Sequence, residues 1–320
     1  MTNKNDVCVY VGEGLRSYGF GQGHPFGPDR MDAFWKEAKR QGMDRRVCVR
    51  EPVSADRKVI ERFHTKEYVD RVVEQSKTGT GLLDYGDTPA FPGVFEAASF
   101  VVGSTLDACH RLMNGLCRRG FIPIGGLHHA RRNSAGGFCV FNDPGIAIEI
   151  LRDQYNLTRL AYVDIDAHHG DGVFYSFEDD PQVFIADIHE DGRFLYPGTG
   201  FLHETGRAAA IGTKLNIPMP IYADDDSFLT AWEVAEEFID AAKPEFILLQ
   251  CGSDGLSGDP ITHLQYTEQA HAHAAKRLCV LADRHCNGRV LGMGGGGYNR
   301  DNIGKAWTAI VRSMVESSES

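Results

Sequence analysis

The chain alternates short, mainly apolar runs with longer stretches whose apolar residues recur every three or four positions. The short runs are Val7–Val11, Val47–Arg50, Leu160–Asp164, Val183–Asp187, Phe246–Gln250 and Val290–Leu291. Their length and near-continuous apolarity predict strands buried on both faces. In Phe228–Ala241, the residues Phe228, Leu229, Trp232, Ala235, Phe238 and Ile239 share one helical face, with Glu233, Glu236 and Glu237 opposite. Pro244 follows as a stop signal. Gly93–Leu116 and Thr267–Leu281 carry the same period. Strand–helix–strand repetition of this kind predicts an α/β fold with a mostly parallel sheet covered on both faces. No internal repeat or Gly/Ser linker interrupts the 320 residues, so a single domain over 1–320 is expected. Residues 77–93 and 189–227, rich in Gly, Pro and Asp, read as long irregular loops of the kind that carry function.

Composition narrows the partners more than the fold. The formal net charge is −11. A broadly acidic protein repels phosphate backbones, which argues against nucleic acid as a direct ligand and suits a cationic substrate. Residues Met1–Asp6 carry no secretory pattern and no apolar run is long enough for a membrane span, so neither export nor membrane insertion is expected. The eight cysteines (Cys8, Cys48, Cys109, Cys117, Cys139, Cys251, Cys279, Cys286) are scattered and form no C-x-x-C pair. They read as reduced, mostly core thiols in a cytoplasmic protein.

The chemistry follows the strands, where open α/β sheets place their ligands. After Leu160–Asp164 comes Asp164-Ile165-Asp166-Ala167-His168-His169-Gly170-Asp171. In extended backbone Asp164, Asp166 and His168 point the same way. After Phe246–Gln250 comes Cys251-Gly252-Ser253-Asp254. Each Asp alone reads better as a turn former or helix cap. Together, two carboxylates and an imidazole from two strand ends make a divalent metal site with positions left open for water and substrate. Upstream, Gly125-Gly126-Leu127-His128-His129-Ala130 places adjacent histidines among small residues, a candidate acid/base pair needing carboxylates such as Asp164 and Asp171 to orient it. Finally, Gly294-Gly295-Gly296-Gly297-Tyr298 lacks the Lys-Ser/Thr ending of a phosphate-binding loop. It suits a backbone-exposing loop that carries Tyr298 over the metal, where a phenol can donate to a developing oxyanion.

Taken together, these blocks resemble the histone deacetylases, nearer the class I and bacterial acetoin-utilisation branch than the polyamine branch. The resemblance runs from about Tyr10 to Trp307 and includes Gly23-His24-Pro25 with Arg30, the His128-His129 and Asp164–Gly172 blocks, Tyr196-Pro197-Gly198-Thr199-Gly200, Asp254 through Pro260, and the glycine run ending in Tyr298. It implies the arginase–deacetylase fold, a single three-layer α/β domain around an eight-stranded parallel sheet with a narrow tunnel to a buried metal. On the matching positions, Asp166, His168 and Asp254 would bind Zn²⁺, or Fe²⁺ as the second choice. His128 would pair with Asp164 and His129 with Asp171. Gly137, Phe138 and Tyr196 would line the tunnel, and Asp87 would stand at the rim. A K⁺ site would use Asp164, the carbonyls of Asp166 and His168, and the position of Asp187. Arg30 would line the cavity through which acetate leaves.

This sequence departs from the family pattern in having Tyr196 where Phe is usual, which makes one tunnel wall more polar. Ile261, after Gly258-Asp259-Pro260, stands where polyamine deacetylases have Glu. The expected reaction is removal of an acetyl group from lysine side chains or a related acylated amine. The alternatives are an acetylpolyamine amidohydrolase, a two-metal ureohydrolase of the arginase kind, and a non-catalytic acyl-amine binder. Oligomeric state is left open.

Overall fold

All six apolar runs become strands of one sheet, because residues such as Ile247, Leu248 and Leu249 have no water-facing side to offer. A computed structural model describes residues 6–21 and 23–318. Its strands are β1 (Val7–Tyr10), β2 (Cys48–Arg50), β3 (Arg119–Ile122), β4 (Leu160–Asp164), β5 (Val183–Glu190), β6 (Lys214–Met219), β7 (Phe246–Gln250) and β8 (Val290–Met293). They form an eight-stranded sheet in the order β2-β1-β3-β8-β7-β4-β5-β6. Every pairing is parallel. The expected helices appear as Val94–Met113, Asp225–Ala242 and Glu268–His285. The last two are capped by Asp224, whose side chain accepts from Ser227 N, and by Thr267, whose side chain accepts from Gln269 N. Helix Arg300–Glu316 packs against Glu268–His285 and Arg30–Arg40, while Val94–Met113 packs against Asp143–Tyr155 and Lys66–Thr78.

Strands β3 and β6 escape the apolar pattern. In β3, Arg119 and Gly120 open a four-residue strand, and the guanidinium is buried against Asp283 and the carbonyl of Met314. In β6, which lies inside the stretch expected to be irregular, polarity is inverted: Lys214 and Asn216 point inward while Leu215 and Ile217 are half-buried. The Lys214 ammonium donates to the carbonyls of Asp180 and Val183 and to Thr213 Oγ1, which makes its burial tolerable.

The reading of all eight cysteines as free thiols is corrected at one pair. Cys8 on β1 and Cys117, just before the neighbouring β3, are joined in a disulfide across 109 residues of sequence, with Cα atoms 6.4 Å apart. Sheet pairing brings them together, which spacing along the chain cannot reveal. The other six are free, and five of those are buried. That pair removes part of the basis for reading a reducing compartment from the cysteines. Among the described residues, no helix is long and apolar enough to cross a membrane.

The strand order positions the site. After β3 the chain skips to β4 and winds outward through β5 and β6; it then returns to place β7 and β8 in the gap it left. The carboxyl ends of β3, β8, β7 and β4 are therefore neighbours, and the four loops that follow them meet in the crevice this reversal creates.

Candidate metal and acid–base site

Each strand end contributes one part. Beyond β4, the extended turn places Asp166 and His168 on one side, and β7 adds Asp254. Metal-ligating atoms of Asp166, His168 and Asp254 lie within 4.8 Å of one another, and all three residues are buried. His168 Nδ1 sits 3.1 Å from Asp166 Oδ1 and 3.0 Å from Asp254 Oδ2. Burial opposes charge on His168, but hydrogen bonds and the fields of both carboxylates outweigh it and lift the imidazole to about 10. Burial and the Asp166 charge push Asp254 up to about 7. The cluster is short of positive charge, and its two oxygens and one imidazole nitrogen suit Zn²⁺ or Fe²⁺. The donor set fits a divalent ion.

The glycines here are required by close approach. A Cβ on Gly252 would strike Asp166 Oδ2, and one on Gly296 would strike Asp254 Oδ2. In their absence the backbone comes in as a donor instead: Gly296 N reaches Asp166 Oδ2 at 2.8 Å.

Beyond β3, the two imidazoles face each other. Nε2 of His128 and Nε2 of His129 are 3.1 Å apart. Nδ1 of His128 lies 2.8 Å from Asp164 Oδ2, and Nδ1 of His129 lies 2.8 Å from Asp171 Oδ1. Each carboxylate holds a proton on the Nδ1 it faces, which leaves the two Nε2 lone pairs pointing together with room for one proton between them. Burial and the neighbouring His128 push His129 down to about 4, so it is neutral at pH 7. Asn142 fixes this loop from behind, its Nδ2 donating to the carbonyls of Ala130 and His128.

Tyr298 follows the glycine run. Burial and the charges of Asp254 and Asp166 hold its phenol well above the usual range, so it remains a donor. Its backbone N donates to Asp259 Oδ2 at 2.9 Å, and its ring meets Phe138 edge-on at 5.8 Å. A narrow cavity runs between these groups, lined by His128, His129, Gly137, Asp166, His168 and Tyr298 among others.

The remaining expected residues divide. Gly137 lines the cavity, and a Cβ there would strike His129. Tyr196 is half exposed and stands edge-on to His129 at 5.0 Å, while Phe138 meets His24 edge-on at 4.6 Å. Asp87 is exposed on a loop outside the cavity lining, though the next residue, Thr88, accepts from Phe138 N. Ile261 is half-buried, its N bonded to Asp259 Oδ1. Asp164 and Asp187 are register partners on β4 and β5. Arg30 is buried beneath the glycine run and donates to the carbonyls of Gly297 and Gly295.

Four residues outside the expected set also belong here. Tyr162 donates its hydroxyl to Asp164 Oδ2 at 2.6 Å, and two-residue strand spacing could have flagged it. Arg131 bonds the second oxygen of Asp171, Asp259 ties the Tyr298 backbone, and Gln250 bonds Asp166. These contacts span sequence distances that leave no local signal.

Known proteins resemble this chain in sequence and fold. The histone deacetylase domain family matches residues 24–314. The chain is 36% identical over 323 residues to the acetoin utilization protein AcuC of Bacillus subtilis, covering 97% of this chain and 82% of that protein. It is 32% identical over 327 residues to the histone deacetylase RPD3 of Saccharomyces cerevisiae, covering 98% and 73% respectively. Among solved structures, the HDA15 HD domain superposes with a TM-score of 0.90 at 25% identity, covering 98% of this chain and 89% of that one.

Proposed function

Because this chain belongs to the histone deacetylase family, we propose that it is a metal-dependent hydrolase that removes the acetyl group from an acetylated lysine side chain or a related acylated amine. One observation carries the reading: a candidate ion cluster, a carboxylate-held histidine pair and a protonated phenol converge on a single narrow cavity. Asp166, His168 and Asp254 would hold Zn²⁺, with Fe²⁺ the nearest substitute. When bound, the ion supplies Lewis acidity, polarising the acetyl carbonyl and acidifying water.

The chain's own groups do the rest. His129, neutral at pH 7, accepts the water proton at Nε2, and Asp171 stabilises the imidazolium through Nδ1. His128, held by Asp164, faces that Nε2 and shares the proton. Water's oxygen forms the new bond to the acetyl carbon; Tyr298 donates to the oxyanion as it develops. When the C–N bond breaks, the stored proton goes to the leaving amine, giving acetate and a free amine. Gly137, Phe138 and Tyr196 form the walls along the acyl-amine stem, with Asp87 and Ile261 at the rim. Asp164 and Asp187, with the carbonyls of Asp166 and His168, would hold a K⁺ ion at the β4 end.

Family membership favours this reading over the ureohydrolase alternative. A fluorogenic acetyl-lysine peptide tests it: turnover should vanish with chelator and return on adding Zn²⁺ or Fe²⁺. A metal-reconstituted protein without turnover would support the non-catalytic binder instead.

A further inference from the structure

Gln250 ends β7 after Phe246-Ile247-Leu248-Leu249, four residues with no exposed surface, and is itself fully buried. An amide in such a place is costly unless its hydrogen bonds are made. They are made entirely to the site. Its Nε2 donates to Asp166 Oδ2 at 2.7 Å and to the Gly126 carbonyl at 3.2 Å, and its Oε1 accepts from Gly252 N at 2.8 Å. Nε2 also lies 3.3 Å from His128 Nδ1, whose proton is committed to Asp164, so this contact is packing. Gly126 and Gly295 press on the amide from two sides; a Cβ on Gly126 would come within 3.0 Å of Gln250 Cγ, and one on Gly295 would strike the amide group. The same side chain thus touches the loop of the histidine pair, the metal-binding turn and the loop leading to Tyr298.

We propose that Gln250 is the positioning residue that makes Asp166 a one-oxygen donor, an inference that rests on the metal reading above. Asp166 Oδ2 takes two N–H groups, from Gln250 and from Gly296 N at 2.8 Å. Oδ1 is the oxygen that faces His168 Nδ1. With Oδ2 satisfied, the carboxylate cannot turn to offer both oxygens, and room at the ion is kept for water and substrate. Without the amide, Oδ2 keeps only the Gly296 N–H, and the carboxylate, its Oδ1 still accepting from His168 N at 3.0 Å, is held less firmly against turning.

The test uses the metal-stripped full chain titrated with CoCl₂, read by visible absorption, and with ZnCl₂ in competition. Gln250→Met removes the donor at similar volume; Gln250→Asn keeps an amide but withdraws it from Asp166. Thermal unfolding of each metal-free variant identifies those that are folded. Both variants should bind Co²⁺ and Zn²⁺ about 10- to 100-fold more weakly, the usual cost of losing such an outer partner. Their Co²⁺ bands should also weaken as a second carboxylate oxygen raises the coordination number, a change that general loss of stability would not produce. A folded variant with parental affinity and parental Co²⁺ spectrum overturns the assignment of Gln250 alone. Parental protein that takes up no Co²⁺ or Zn²⁺ overturns the metal reading itself.

Discussion

Protonating His64 should unlatch the histidine loop from behind. Its Nε2 accepts from Asn142 N at 2.9 Å, and Asn142 in turn caps helix Asp143–Tyr155 and holds the carbonyls of His128 and Ala130. A proton on Nε2 would set two donors against each other inside the core. Burial accordingly pushes His64 down from 6.5 to about 3. The folded state therefore binds fewer protons than the unfolded state between those values, so stability is complete above about pH 6.5 and falls as pH drops toward 3. At pH 5 the loss from this one group is about 2 kcal/mol, since each unit below the unfolded value costs about 1.4 kcal/mol. Urea unfolding of the parental protein and of His64→Gln, at pH 7 and pH 5, isolates the term. The stability gap between the two proteins should narrow or invert by about 2 kcal/mol on acidification, because glutamine accepts the same hydrogen bond without titrating. A gap independent of pH would refute the reasoning.

Tyr298→Phe should lower kcat by roughly 10²- to 10³-fold, about 3 to 4 kcal/mol, while KM and Zn²⁺ content stay near parental values; parental kcat would remove the oxyanion role. Gly296→Ala forces a methyl group toward Asp254 and Asp166, and equilibrium dialysis should show loss of tight Zn²⁺ binding in a protein that remains folded. Lys214→Met leaves the carbonyls of Asp180 and Val183 without their donor and should cost about 2 to 4 kcal/mol in urea unfolding, with little effect on kcat.

What could be read from the sequence was whatever chemistry is carried by consecutive residues. Asp164, Asp166 and His168 declare themselves because strand geometry converts two-residue spacing into a common direction, and His128-His129 because adjacency among glycines is unusual. The strands whose interior positions are apolar were equally plain. Strand β6 was hidden because Lys214 and Asn216 occupy its inward positions, and β3 because Arg119 and Gly120 begin it. The site's supporting contacts were hidden for a different reason. Gln250 and Asp166 are 84 residues apart, and Arg119 and Asp283 are 164 apart, so each pairing exists only through the order of the strands or the packing of a helix on them. The Cys8–Cys117 disulfide belongs to the same class.

The carboxylate of Asp259 bridges two loops, accepting from the backbone of Tyr298 with one oxygen and from Ile261 with the other. On the proposed reading of Ile261 as a rim residue, remodelling that rim to admit a longer acyl chain is therefore not independent of reaction speed. A substitution at 261 that shifts its backbone N–H would displace the carboxylate that holds the Tyr298 backbone, and variants selected for a new substrate through that position should lose rate on the old one.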